Sequence, residues 1–566
     1  MSRFRIYLLG LLLLSAAVYL LGNGLTPLWD RDEPRYAQAS RQMFQSGDWV
    51  MPFFLDEPRV NKPIGIYWLQ ASSMAVFANA TFAARFPSAV AMIALVALTA
   101  VVVRRSRDEP RAILTALFLA TSALAVAAAK MSITDSVLTL FITAAQIALF
   151  LIYSGRHTAP VYLSLGLAVG AAGLVKGPVV LGVMGTTLLA LLLLNLIDKR
   201  FRPAAVIPVS AESPPPAAPY RWWMPVLALA AIVLVAAPWV AMIESRTPGY
   251  VVNTIWQEVI VRAKKPQEGH SGPPGFYLLT MFGTLMPWSL MMPAALVCAV
   301  RHRKDPVIRF ALAAFLGPWI MFELVKTKLP HYILPTFPFL AFLLADAVCR
   351  CAKSQIYDLC DRPFTLAAKV FAVVLGLLGL VPVAGAVVEY RHMPGAPTTL
   401  FAPAAVIAVI AIVWSFFCWR FFSRKQLIHA CITLAAGFAL IVVTAFTIYL
   451  PRASFMQLPS RTAHELASLG ITRPDQVVMI DFKEPSLAFY QGGTIREAAD
   501  DYLIKTPQPT PYVVLTEQIY HDMPASVSSQ LTILRSIEGW AYADSGRWLT
   551  VLIARVDRAK TAEDPR

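Results

Sequence analysis

Apolar runs of the length needed to cross a bilayer, roughly 20 residues, recur along most of this chain and are separated by short polar loops. They begin near residues 6, 86, 111, 133, 160, 178, 223, 275, 306, 332, 365, 401 and 428. Runs this long and this free of charge predict membrane-spanning helices, about thirteen of them. The pattern changes near residue 451. VVMIDF, PYVVLT and LTVLIARV are short β-rich runs set between helical or polar stretches such as 460–469, which predicts a small α/β domain over 451–566 after a transmembrane domain over 1–450. The fold class expected is a polytopic α-helical membrane protein with a small C-terminal α/β domain. No internal repeat of solenoid period stands out, and no duplicated half of the transporter kind.

Composition agrees with this pattern. Of 566 residues, 57% are hydrophobic and 15% charged, against about 25% charged in soluble domains. The net charge of +15 sits in short basic runs between apolar segments, at Arg104-Arg105-Ser106-Arg107, Asp198-Lys199-Arg200, Arg301-His302-Arg303-Lys304 and from Arg420 to Lys425. That distribution marks cytoplasmic loops and excludes a nucleic-acid footprint, which would gather charge on one folded face. It places the N-terminus in the cytoplasm. An odd number of spans then puts the C-terminal domain on the outer face of the membrane. Loop 201–220, with SAESPPPAAP, reads as an internal Pro/Ala linker. The run after Arg3 and Arg5 resembles a signal peptide without a small-residue cleavage site, so an uncleaved first span is expected. Six cysteines in spans or on the cytoplasmic side match no zinc spacing and read as reduced thiols.

On this topology the outer loops carry mixed acids and bases, and residues 29–68 are the richest of them. Asp30, Asp32 and Glu33 form an acidic knot flanked by Arg31 and Arg35. Pro34 favours a helix start, and Tyr36, Ala39 or Ser40, Met43 and Phe44 give that helix one apolar face along the interface. One carboxylate would serve as an N-cap; three exceed that need. Lys62, fixed by Pro63 ahead of Tyr67 and Trp68, has the setting of a point charge for a phosphate, or of a lysine reaching up to the interface. Asp135 opens an otherwise apolar span and either caps it or supplies a second carboxylate. Lys176 sits in a tight corner.

Two more outer corners are basic: Arg262, Lys264, Lys265 and His270 in one, Lys326, Lys328 and His331 in the other. Basic groups on that side run against the positive-inside bias. An anion at membrane depth, such as a lipid phosphate, explains them. P-loop, Gly-x-Ser-x-Gly, metal-helix and dinucleotide patterns are not evident, so an activated donor has to arrive by another route, and a lipid-linked one in the membrane fits.

WDRDEPRYA, SGDWVMP and NKPIGIYW, with LVKGP, GHSGPPGFY, KLPHYILPTFP and EPSLAFYQGG further on, together resemble the bacterial lipid-linked-sugar transferases of the type C glycosyltransferase superfamily. The resemblance is nearest to the aminoarabinose transferases that modify lipid A, with the protein O-mannosyltransferases as distant kin. It implies transfer of a sugar (4-amino-4-deoxy-L-arabinose or another pentose or hexose) from a polyprenyl-phosphate carrier to a periplasmic acceptor such as lipid A, another glycan or a protein, with inversion. Asp32 is then the key carboxylate, with Glu33 beside it, and Asp135 the acid opening the fourth helix. Lys62 holds the donor phosphate; the residues themselves add Arg35, Arg262, Lys264, Lys265, Lys328 and His331 as further candidate cations for it. Relatives often have Phe-Glu-Lys-Pro-Pro where this chain has Val60-Asn61-Lys62-Pro63-Ile64. In some members that Glu binds a divalent metal with a His of the Gly-His loop. The pair here is Asn61 and His270, and Asn61 is a poor ligand, so no cofactor is certain. The alternative is a transporter or flippase of a lipid-linked or anionic solute. It calls for charge within spans and repeat symmetry, and the chain nearly lacks both.

Overall fold

The computed structural model describes residues 3–29, 31–200, 219–261, 264, 271–352, 362–393, 398–543 and 546–557. Every apolar run found in the sequence is helical there. Among the described residues eleven helices are long and apolar enough to cross a membrane, and the bent pair Glu109–Ala120 and Ala123–Ala129, turned by 62°, makes a twelfth if counted as one span. The run beginning near 275 is helical in two shorter pieces, Phe276–Thr284 and Met292–Arg301, with Pro287 in the break between them. A proline has no N–H to give the helix ladder and clashes with the preceding turn, which accounts for the interruption. This is a multi-pass membrane protein.

Helix starts follow from the residues before them. Asn79 accepts from Phe82 N at 2.8 Å to open Ala80–Ser106. Asp305 accepts from Val307 N and Ile308 N to open Pro306–Leu324. Both satisfy backbone donors that the first helical turn leaves orphaned. Between the helices lies a continuous core of small and aromatic side chains, including Tyr19, Tyr67, Phe118 and Trp288. Outward-facing Leu181, Leu234 and Val409 stay exposed, the surface expected of helices whose solvent is lipid.

The two ends of the bundle differ. At one end the basic runs are knitted together: Arg107 pairs with Asp305, Arg111 and Arg350 both reach Asp346 at 2.6 Å, and Arg303 and Arg309 share Asp198. At the other end lie the helix Asp32–Ser46 and the C-terminal domain. That helix has no side-chain N-cap, and it closes at Gly47 (φ 72°), whose N–H returns to Met43 O. A two-residue hairpin follows it, β1 (Phe53–Phe54) against β2 (Glu57–Pro58).

The C-terminal domain is a five-stranded sheet in the order β4-β3-β5-β7-β6, formed by β3 (Val477–Met479), β4 (Arg496–Glu497), β5 (Tyr512–Thr516), β6 (Leu531–Ala541) and β7 (Arg547–Val556). Strand β3 runs parallel to β4 and β5, while β7 is antiparallel to β5 and β6. The three β-rich runs of the sequence are β3, β5 and β7, whose inward residues are buried. Strand β6 alternates buried and exposed residues along an edge and has a register shift at Ile533/Arg535, so its pattern is weaker.

This domain docks on the first loop. Tyr490 Oη accepts from Leu28 N at 2.8 Å and lies 3.0 Å from Thr81 Oγ1. Arg41 donates to Phe489 O at 2.8 Å, and Arg31 pairs with Glu484 at 3.4 Å.

Candidate functional site

A cavity of about 370 Å³ opens where the first loop meets four helix ends. Asp32, Arg35 and Tyr36 reach it from the helix Asp32–Ser46, and Arg59, Asn61 and Lys62 from the segment after the hairpin. Thr134 and Asp135 come from the start of the span Asp135–Tyr153, and Lys176 from the end of Ala159–Lys176. His331 and Tyr332 enter from the short turn Pro330–Thr336. Residues far apart in sequence thus converge on one space.

The neighbouring acids Asp32 and Glu33 point in different directions. Successive residues of a helix are about 100° apart, and here that turn sends one into the cavity and one into the protein. Glu33 is fully buried and takes both its oxygens out of play. Arg85 donates to it from Nε at 3.0 Å and Nη2 at 2.8 Å, with the backbone N–H groups of Trp29 and Ser132 completing its shell at 2.6 and 2.5 Å. Arg85 in turn donates to the carbonyls of Asn23, Thr26 and Pro27. A buried ion pair so completely bonded fastens the loop to the bundle. Glu33, expected beside Asp32 as a catalytic acid, is outside the cavity and holds the loop instead.

Asp135 lies in the cavity wall with its side chain 5% exposed. Lys176 Nζ donates to Oδ1 at 2.8 Å, Thr134 Oγ1 to Oδ2 at 3.1 Å, and His331 Nε2 stands 3.8 Å from Oδ2. Lys176 Nζ also sits 4.9 Å from the Tyr332 ring centroid. The corner lysine, the opening aspartate and the histidine therefore form one group from three separate parts of the chain. Its sequence signal was the presence of charge at the ends of apolar runs.

Lys328 is not with them. It is 6% exposed and gives its ammonium to Glu323 Oε1 at 2.6 Å and to Pro273 O at 3.1 Å. Glu323 also accepts from Gly275, Phe276 and Tyr277 N. Lys328 thus braces the corner, and His331 three residues on faces the cavity. Lys264 is exposed. Asp30, Arg262, Lys265 and His270 lie outside the described residues.

Arg59 was not singled out from the sequence. Its guanidinium stacks 5.0 Å from the centroid of Tyr36, whose ring lies 5.6 Å from that of Tyr67. Burial works against the charge on Arg59, but Tyr67, Tyr36 and Asp32 outweigh it and hold its pKa above the usual arginine value. Burial, then Tyr67, pushes the Tyr36 phenol well above the usual range, with Arg59 opposing. Tyr36 is a proton-bearing hydroxyl at any working pH. The available signal for Arg59 was an arginine in an outer loop three residues ahead of Lys62.

Asn61 presents a neutral amide at the position where the resemblance expects a carboxylate. Among the described residues no group of three or more His, Cys, Asp or Glu is placed to hold a metal ion, and no step below is routed through one.

Comparison with known proteins agrees with the motifs. Residues 5–252 match the family model described as dolichyl-phosphate-mannose-protein mannosyltransferase. The chain is 33% identical over 333 residues to the undecaprenyl phosphate-alpha-4-amino-4-deoxy-L-arabinose arabinosyl transferase of Edwardsiella ictaluri, a match covering 57% of this chain and 56% of that protein. It is 30% identical over 379 residues to the transferase of the same name from Yersinia pestis, covering 64% of each. The matches thus span less than two thirds of those relatives. The fold is shared end to end with ArnT from Cupriavidus metallidurans, solved bound to undecaprenyl phosphate (TM-score 0.73, 19% identity, 99% of both chains covered). The resemblance read from WDRDEPRYA and its companion motifs is borne out.

Proposed function

We propose that this protein is a membrane glycosyltransferase that takes a sugar from a polyprenyl-phosphate carrier and passes it to an acceptor on the face where the C-terminal domain sits. One observation carries the reading: Asp32 stands in a cavity at the end of a helical bundle among the cations Arg35, Arg59 and Lys62, while the cavity's other carboxylate, Asp135, is held by Lys176. The similarity to transferases named for an undecaprenyl-phosphate-linked donor supports it.

In this reading the polyprenyl chain stays in the bilayer and its phosphate enters the cavity. Lys62, with Arg35 and His331, binds that phosphate and stabilises the charge that grows on it as the sugar leaves. The acceptor oxygen attacks C1 from the face opposite the phosphate, giving inversion. The C1–O bond breaks, and its electron pair departs with the polyprenyl phosphate. Where the acceptor is a hydroxyl, Asp32 takes its proton. Where it is a phosphate no base is needed, and Asp32 steadies the positive charge developing on the sugar. Asp135, held by Lys176, fixes the wall of the site. The basic end of the bundle faces the cytoplasm and the cavity the periplasm of a bacterial inner membrane. Residues 1–450 form the catalytic unit and 451–566 a cap on its first loop.

The phosphate assignment is tested on purified protein by titrating polyprenyl phosphate into wild type and Lys62→Ala. A weakening of Kd on the order of ten- to a hundredfold is expected for losing a hydrogen bond to a charged group. Equal affinity would remove Lys62 from the donor site.

A further inference from the structure

The cavity's two carboxylates stand on separate pieces of chain, Asp32 at the start of the helix Asp32–Ser46 and Asp135 at the start of the span Asp135–Tyr153. A substrate lying between them requires those pieces to keep one distance and one rotation. Apolar contact does not set this by itself, because it is not directional. Three side chains behind the cavity wall supply the direction. Ser40 Oγ donates to Gln70 Oε1 at 2.8 Å, and Gln70 Nε2 donates to Ser132 Oγ at 2.7 Å. All three residues are fully buried.

They close a ring with Glu33. Ser132 N donates to Glu33 Oε1 at 2.5 Å, while Ser132 Oγ receives the bond from Gln70. The helix is thus tied to Ser132 twice, directly at Glu33 and through Gln70 at Ser40, seven residues further on. Seven residues make about two turns, so both ties leave the same face of the helix. One tie would let the helix pivot about Glu33; two hold its rotation and tilt. Asp32 is the residue before Glu33, and Asp135 comes three after Ser132.

Gln70 belongs to the helix Gly65–Met74, which begins three residues after Lys62. The same helix carries Tyr67, packed on Tyr36. Its first residue, Gly65, approaches Leu174 O so closely that a Cβ there would come within 2.8 Å. Leu174 lies two residues before Lys176. Gln70 therefore stands at the junction of the elements that deliver Asp32, Lys62, Asp135 and Lys176. An amide suits the junction, since it offers an acceptor at one atom and donors at the other.

We propose that Gln70 is a positioning residue for the transfer reaction, holding Asp32 in register with Asp135 through Ser40 and Ser132. This rests on the transferase reading above and deepens it. Gln70 does not line the cavity and acts only through the orientation of the helix Asp32–Ser46. A buried amide also has a purely structural use as a satisfied polar group, and experiment separates the two.

Initial rates of sugar transfer are measured against the concentration of a polyprenyl-phosphate sugar fraction, together with Tm and the Kd for polyprenyl phosphate. Gln70→Leu should lower kcat on the order of ten- to a hundredfold, the effect of a misplacement of about 1 Å, with Kd close to that of wild type. Ser40→Ala removes one small hydroxyl and one tie, and should lower kcat by a smaller factor. It keeps the proposal testable if Gln70→Leu fails to fold. The triple variant Ser40→Ala/Gln70→Leu/Ser132→Ala leaves no side-chain partner of Gln70 unpaired, so its Tm should return toward wild type. Its kcat should stay low. Recovery of kcat along with Tm in the triple variant would reduce Gln70 to a satisfied core amide and overturn the proposal. A wild-type kcat in Gln70→Leu, or a loss carried wholly by Kd, would overturn it too while leaving transfer standing. Absence of transfer by the wild type would overturn the transferase reading itself, and this inference with it.

Discussion

Asp32 and Glu33 are adjacent carboxylates with opposite environments, and that contrast makes them separable by experiment. Asp32 faces the cavity, so Asp32→Asn should cut turnover by about 10²–10⁴, the usual worth of a positioned acid or base, and leave the melting temperature in place. Glu33 accepts from Arg85 and two backbone N–H groups inside the protein. Glu33→Gln leaves the Arg85 charge buried without its counter-ion, at a cost of about 3–5 kcal/mol. Its signature is a fall in Tm of detergent-solubilised protein, which an unchanged Tm would contradict. Lys130 offers a pH test. It is buried against Leu21 O and Asn23 Oδ1, and burial, with Arg85 nearby, pushes its pKa down to about 7. The folded chain thus binds fewer protons here than the unfolded one between pH 7 and the usual lysine range. The penalty is full below pH 7 and is relieved as pH rises above it. Wild type should therefore gain more Tm than Lys130→Met between pH 7 and 9, and equal gains would refute the assignment.

At the scale of elements, the helix Asp32–Ser46 is fastened from both sides. Glu33 ties its start to the bundle, while Tyr490 and Phe489 of the C-terminal domain hold Leu28 and Arg41. Tyr490→Phe removes the acceptor for Leu28 N and should cost about 1–3 kcal/mol. Hydrogen exchange over residues 28–46 should quicken, whereas exchange confined to the tail would show that the domain does not hold the loop. This docking was not legible in the sequence. The helix was, because Pro34 and the apolar positions Tyr36, Ala39 and Met43 are local signals; those three are buried as the periodicity required, while Phe44, expected on the same face, is exposed. Strands β3, β5 and β7 were legible for the same reason. Which carboxylate of an Asp-Glu pair faces a cavity depends on partners such as Arg85, 52 residues away. Arg59 becomes notable only when Tyr36 and Tyr67 are seen to pack around it.

Over the whole molecule, hydropathy located the long apolar helices, and charge sorted the loops into two kinds that lie at opposite ends of the bundle. The basic end is laced by Asp198, Asp305 and Asp346, and the site is at the other. If the basic end is cytoplasmic, a membrane-impermeant maleimide should label Asp500→Cys through a permeabilised outer membrane in a cysteine-free background. Arg105→Cys should react only after the inner membrane is broken, and the reverse order would invert the topology. The central claim is that sugar moves from lipid to acceptor at Asp32. The direct measurement incubates purified protein with the polyprenyl-phosphate sugars and acceptor membranes of a native source and follows both pools by mass spectrometry, for wild type and Asp32→Asn. A sugar mass lost from the carrier and gained by an acceptor with wild type alone is the expected result. Lipids bound or moved across the bilayer with no change in mass would contradict transfer and point to transport.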